Sequence, residues 1–261
     1  ARDVCARVEI GPAYAEALAL LGDLEARVGQ VDLAHRHLDE AVTLYREQGL
    51  ISGEAEALHF LRRLATTQSD YARGSALGLE AQALYRQLGN PRKVAGQGLN
   101  LGVYAFEQGD YETALRLTTE SLAAFRDLGD VTGVAIALLN LGNTQRETGD
   151  LPGALRSLTE AVEIERRRHG RALAAALGAL GEVQLATGDP GARASFAESL
   201  RLRLRSGDAN GLALMFEIFG MFHVGAGDAE TAARLVGAAE AIRAPTGAGL
   251  HPNRRQRHAA F

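Results

Sequence analysis

Apolar residues recur along this chain at steps of three and four, and glycines break the pattern at regular intervals. Tyr111, Ala114, Leu115, Thr118, Leu122 and Phe125 form one such stripe. This is the period of an α-helix with one buried face. Stripes stop at Gly29, Ser69, Gly109, Gly149, Gly188 and Gly227, at intervals of 40, 40, 40, 39 and 39 residues. Seven residues before these stand Gly22, Arg62, Gly102, Gly142, Gly181 and Gly220, each preceded by a large apolar residue. Small residues return downstream at Ala34, Gly74, Ala114, Ala154, Ala192 and Ala232. A second small set follows at Ala41, Ala81, Ser121, Ala161, Ser199 and Ala239. Registers that recur together in this way mark an internal repeat.

Glycine ends a helix by adopting a left-handed conformation, and the Asp that often follows opens the next one. Each repeat therefore reads as two helices of roughly 25 Å, at a rise of about 1.5 Å per residue. The expected pairs lie near 13–28 and 31–48, 53–68 and 71–88, 92–108 and 111–128, 132–148 and 151–168, 171–187 and 190–205, and 210–226 and 229–244. With their closing turns these are repeats near 13–49, 53–89, 92–129, 132–169, 171–207 and 210–244. The small residues let paired helices approach where a larger side chain would overpack. No repeat buries its apolar face alone, so neighbours are expected to stack. The result is an all-α, right-handed superhelical solenoid of about six helix hairpins over residues 1–244, with a concave and a convex surface. Residues 1–9 are expected to finish an earlier helix. Residues 245–261 read as a loop broken by Pro245 and Pro252, then the start of a truncated capping helix.

Composition adds exclusions. The net charge of −4 gives no electrostatic reason to bind nucleic acid. Charges or glycines interrupt every apolar run well short of the ~20 residues a membrane helix needs. The single cysteine, Cys5, rules out an internal disulfide and fits a reducing compartment. The chain opens in mid-pattern and stops in what reads as another helix, so a fragment of a longer cytoplasmic protein is expected.

Chemical motifs are sparse. Lys93 is the only lysine and lies in no glycine-rich loop, so nucleotide binding is not expected and no cofactor is implied. His35 and His37 diverge on a helix, and His59, His169, His223, His251 and His258 are scattered, so no metal site is expected. No serine sits in a nucleophile elbow and Cys5 has no histidine on its helical face. An enzyme is therefore not expected. The arginine clusters at 166–168 and at Arg201, Arg203 and Arg205 fall at helix ends, where positive charge suits the dipole.

The succession Leu–Gly, Gly–Asp–Tyr, Ala, Ala resembles the tetratricopeptide repeat over nearly the whole chain. It departs in period, 39–40 rather than 34, and lacks the tryptophan and terminal proline. The "LNLG" at 99–102 and 139–142, with helix ends "LYREQG" and "AFRDLGD", resembles one subgroup. That subgroup is the C-terminal repeat region of large bacterial LuxR-type and antibiotic-regulatory-type transcriptional regulators, the MalT-like STAND ATPases. Residues 232–252 resemble their terminal repeat. The resemblance implies a sensor or interaction arm whose DNA-binding and nucleotide-binding domains lie outside these residues. The implied partners are a protein, a peptide or a small effector, together with other domains of the parent protein.

The resemblance also points to positions. Peptide-gripping tetratricopeptide domains carry asparagine on the concave face of the first helices. The matching residues are Asn100, Asn140 and Asn143, with Arg63 and Arg146 as cations nearby, lining a groove through the second to fourth repeats. An amide both donates and accepts, and a guanidinium offers a fork to carboxylate. The lysines of a terminal-carboxylate clamp are absent. The other reading gives Asn100 and Asn140 a structural task, bonding neighbouring helix ends. In the sixth repeat Phe216, Phe219, Met221 and Phe222 read either as core or as a self-association patch supporting a homodimer.

Overall fold

The computed structural model describes the backbone of residues 2–225 and 227–244, with side chains from residue 11 onward except residue 226. Twelve helices follow one another and no strand occurs among the described residues: α1 (Arg2–Arg27), α2 (Val31–Glu47), α3 (Ile51–Thr67), α4 (Tyr71–Gln87), α5 (Pro91–Glu107), α6 (Tyr111–Asp127), α7 (Val131–Glu147), α8 (Leu151–Arg167), α9 (Leu173–Ala186), α10 (Ala192–Ser206), α11 (Ala209–Gly225) and α12 (Ala229–Arg243). The loop and capping helix expected at 245–261 lie outside the described residues.

Helix ends fall within two residues of those the periodicity predicts, except at the start of α1. There the expected break is missing, and α1 runs unbroken from Arg2 through Pro12. A proline ring normally crowds the Cβ of the residue before it. Here that residue is Gly11, which has none.

One turn shows how a helix pair is closed. The Gly109 N–H donates to Phe106 O at 3.0 Å and the Asp110 N–H to Ala105 O at 2.9 Å, which satisfies the last carbonyls of α5. This needs a positive φ, and Gly109 has +81°. The Asp110 carboxylate then accepts from the Thr113 N–H at 3.1 Å and caps α6. Hydrogen bonds from Thr113 hold that carboxyl below its ordinary pKa. Asp70, Asp150 and Asp228 cap α4, α8 and α12 in the same way.

The chain forms two compact halves, Ala1–Asp130 and Val131–Phe261. In the N-terminal half α1/α2, α3/α4 and α5/α6 are hairpins, with α2 packed on α3 and α4 on α5. In the C-terminal half α7/α8, α9/α10 and α11/α12 are hairpins, with α8 on α9 and α10 on α11. Each half is thus a stack of helix hairpins. Leu38, Leu58, Leu64 and Tyr85 are among the buried residues of the first, and Phe196, Met215 and Ile218 of the second.

Inside a hairpin, the glycine of the first helix meets one side chain of the second. A Cβ on Gly142 would lie 2.5 Å from Leu158 Cγ, and one on Gly102 would lie 2.8 Å from Thr118 Oγ1. The second repeat reverses the arrangement. Arg62 stands in the glycine register and Gly78 in the register of Leu38, Thr118 and Leu158. The volume moves from one helix to the other, and Arg62 Cδ, together with Leu101 Cδ2 of the next repeat, fills the space over Gly78.

Candidate functional site

First helices of adjacent repeats lie side by side, α1 against α3 and, in the C-terminal half, α7 against α9. Their facing side chains are where the sequence places a ligand surface, and each half is described in turn.

In the N-terminal half, Arg63 of α3 is more than a third exposed and donates from Nη1 to Asp23 Oδ1 on α1 at 2.8 Å. Asp23 also takes Arg27 at 2.8 Å. Asn100 of α5 is half-buried and donates from Nδ2 to the Gly96 carbonyl one turn back, at 2.8 Å. It bonds its own helix rather than a neighbouring helix end.

Two further pairs cross from α3 to α5. Lys93 Nζ donates to both carboxylate oxygens of Glu56, at 2.9 and 3.2 Å, and lies 5.5 Å from the centre of the Tyr85 ring. Burial, first of all, pushes the Tyr85 phenol up. Gln97 Nε2 lies 2.9 Å from His59 Nδ1. An amide nitrogen only donates, so Nδ1 is the acceptor and the imidazole is neutral. Burial, aided by the charges of Arg62 and Lys93, lowers the His59 pKa to about 4. The other end of the amide, Gln97 Oε1, is buried with no partner among the described residues. Beneath lies the displaced Arg62, which donates to the Tyr104 hydroxyl at 2.6 Å.

Glu56 and Gln97 did not stand out in the sequence, and Lys93 and His59 did so only in setting aside nucleotide and metal binding. A signal existed, since Glu56 and Lys93 are opposite charges 37 residues apart, three short of one repeat. A search for charge pairs near the repeat offset finds them. Arg62 is visible as the one non-glycine in its register, but its partner Tyr104 is not.

In the C-terminal half, Asn140 and Asn143 on α7 are half-buried, and neither amide has a hydrogen-bond partner among the described residues. Arg146, one turn on, is committed. Its Nη2 donates to Glu147 at 3.0 Å and its Nη1 lies 2.6 Å from Glu182 Oε2 on α9. Burial opposes the charge, but Glu182 and Glu147 outweigh it and raise the guanidinium pKa. Arg146 therefore ties α7 to α9.

The apolar end of this half is mostly packed inward. Phe219 stands edge-on to Phe196 with centroids 5.3 Å apart, and Phe219 and Met221 pack on the Phe196–Met215 cluster. Phe216 is half-buried. Only Phe222 of the four is exposed, at 40 %. No described helix is long and apolar enough to cross a membrane.

The tetratricopeptide repeat family matches residues 94–167. No protein with a curated description matches the chain by sequence. Solved structures resemble it in fold. The apo form of RapI is 18 % identical with a TM-score of 0.76, covering 89 % of this chain and 84 % of that one. A plasmid Rap conjugation gene regulator in complex with a Phr peptide is 14 % identical with a TM-score of 0.66, covering 85 % and 71 %. A signal transduction ATPase with numerous domains, carrying a tetratricopeptide repeat sensor, comes from Pyrococcus horikoshii. It is 16 % identical with a TM-score of 0.69, covering 90 % of this chain and 37 % of that one.

Proposed function

We propose that this chain is a non-catalytic protein- or peptide-binding module, the cytoplasmic sensor arm of a larger bacterial signal-transducing transcriptional regulator. The observation that carries the reading is the pair Asn140 and Asn143. Both amides stand one turn apart on a first helix with no partner among the described residues, while the arginine beside them is paired with Glu147 and Glu182. Free amides on a rigid helix suit the backbone of an extended peptide, which offers alternating N–H and C=O groups. In the N-terminal half Arg63 and Asn100 take the same role beside the Glu56–Lys93 pair. Arg146 positions rather than contacts the ligand.

The likeness to a Rap regulator seen with a peptide, and to a STAND protein with a sensor of this fold, supports the class. The resemblance of residues 232–252 to the terminal repeat of MalT-like regulators supports the parent. The test starts from a peptide selected from a random library on the whole chain. Asn140→Ala and Asn143→Ala are expected to weaken it roughly tenfold each, about one buried hydrogen bond apiece. Calorimetry showing unchanged affinity in both variants rejects the assignment.

Self-association without a separate ligand is the second reading. One face of α1 favours it: Leu20 and Leu24, one helical turn apart, are 58 and 57 % exposed, and Val28 in the turn that follows is 63 % exposed. The sixth repeat, largely packed, contributes Phe222 alone.

A further inference from the structure

The second helices of each repeat meet their neighbours across seams on the other side of the hairpins. Two seams are tied by arginine. At the first, Arg46 of α2 reaches Glu80 of α4 and also holds Glu54 of α3, the latter at 2.6 Å. In the C-terminal half, Arg166 of α8 holds Glu198 of α10 at 2.6 Å. The seam between α4 and α6 has the same residue types in the same registers, Arg86 and Glu120. Yet there the tie is not made. Arg86 turns back to Gln82 Oε1 on its own helix at 2.7 Å, and Glu120 is taken by Arg116 of its own helix at 3.0 Å.

Forty residues after Glu54 stands Val94, so this seam lacks the second carboxylate that Arg46 has, and Arg86 has Gln82 one turn back on its own helix. Gln82 is itself pinned, donating from Nε2 to the Val94 carbonyl at 3.1 Å. Where the bridge is missing, a cavity of about 520 Å³ opens. Val94, Ala95, Gly98 and Leu117 line it, and so do Arg86 and the Arg116–Glu120 pair. Volumes of roughly 300–1,000 Å³ with an apolar lining and few polar groups are those of small-molecule sites.

We propose that this cavity is a binding site for a small amphipathic carboxylate, whose apolar body lies on Val94, Ala95, Gly98 and Leu117 and whose carboxylate is taken by Arg86. The charges select this occupant. Glu120 is neutralised by Arg116, whereas Arg86 meets only a neutral amide and no carboxylate among the described residues. An incoming carboxylate supplies the anion that Glu80 and Glu54 supply to Arg46 one repeat earlier, and the guanidinium fork donates two parallel bonds to it. The site is distinct from the first-helix face proposed for peptide.

Straight-chain carboxylates from hexanoate to dodecanoate, with the matching alcohols and amines, are the probes for ligand-observed NMR and calorimetry on the whole chain. One or more carboxylates are expected to bind, with the matched alcohol and amine at least roughly tenfold weaker, the scale of a charge-assisted bond. Arg86→Gln is expected to lose the same factor. Val94→Glu restores the acid that holds Arg46 in the first seam and is expected to draw Arg86 across and abolish binding, with helical circular dichroism unchanged. Glu120→Gln is expected to leave carboxylate binding intact. The proposal is overturned if no carboxylate binds in the millimolar range, if alcohol or amine binds as well as carboxylate, or if folded Arg86→Gln and Val94→Glu both bind like the parent chain.

Discussion

His59 shows what a single buried side chain does to the whole. An unfolded histidine takes its proton near pH 6.5, whereas the folded chain protonates His59 only near 4. Burial is the larger cause, with Arg62, Lys93 and Arg63 adding to it and Glu56 opposing. Between those two values the unfolded state holds more protons, so stability rises with pH across the window and is lost as pH falls through it. The full effect is on the order of 3 kcal/mol. His59→Gln keeps a polar group beside Gln97 but does not titrate. Urea unfolding at pH 7 and pH 4.5 is expected to show a smaller drop in the variant than in the parent. Equal drops contradict the assignment. The same scale explains two residues that break the glycine rule. Ser69 and His169 close helices at φ of 58° and 52°. A side chain there costs about 1–2 kcal/mol that glycine does not, so the register can be read even where its residue is wrong.

At the scale of elements, packing inside a hairpin depends on a sum rather than on either helix. Glycine faces Leu38 in the first repeat, Thr118 in the third and Leu158 in the fourth, while Arg62 faces Gly78 in the second. Arg62 is 5 % exposed and bonds Tyr104 across the next repeat. Arg62→Gly alone is expected to leave a cavity and to take from the Tyr104 hydroxyl one of its two partners, Thr66 remaining, at a cost of about 2–4 kcal/mol. Gly78→Leu alone is expected to overpack by about 1–3 kcal/mol. Combined, they recreate the pattern of the first and fourth repeats, so the double variant is expected to be more stable than the two costs predict. Chemical denaturation of all four chains measures the coupling. A sum that is additive within ~0.5 kcal/mol rejects the idea that the two positions share one volume.

At the scale of the molecule, a repeat array is stabilised by neighbours, and each half carries three hairpins with their own buried residues. Residues 1–130 alone are expected to fold into a helical domain with a cooperative urea transition. A helical fragment that melts without cooperativity contradicts this. The helices were legible from the chain because helix period and glycine stops act within a few residues of themselves. Asn100, Asn140 and Asn143 were placed on first helices for the same reason. What was not legible was how their neighbours would be spent. That Arg63 pairs with Asp23, and Arg146 with Glu182, is not written in the sequence. Phe219 and Met221 read as either patch or core until Phe196 and Met215 met them.

The repeating seam makes the division plain. The sequence by itself determined that Arg46, Arg86 and Arg166 close second helices and that Glu80, Glu120 and Glu198 sit on the next. Only the tertiary structure decided which of them join. A register is a local property, set by 3.6 residues per turn. A partner is chosen by every group within reach: Arg46 and Arg166 cross to the next second helix, whereas Arg86 turns back to Gln82 and a cavity lies in that seam.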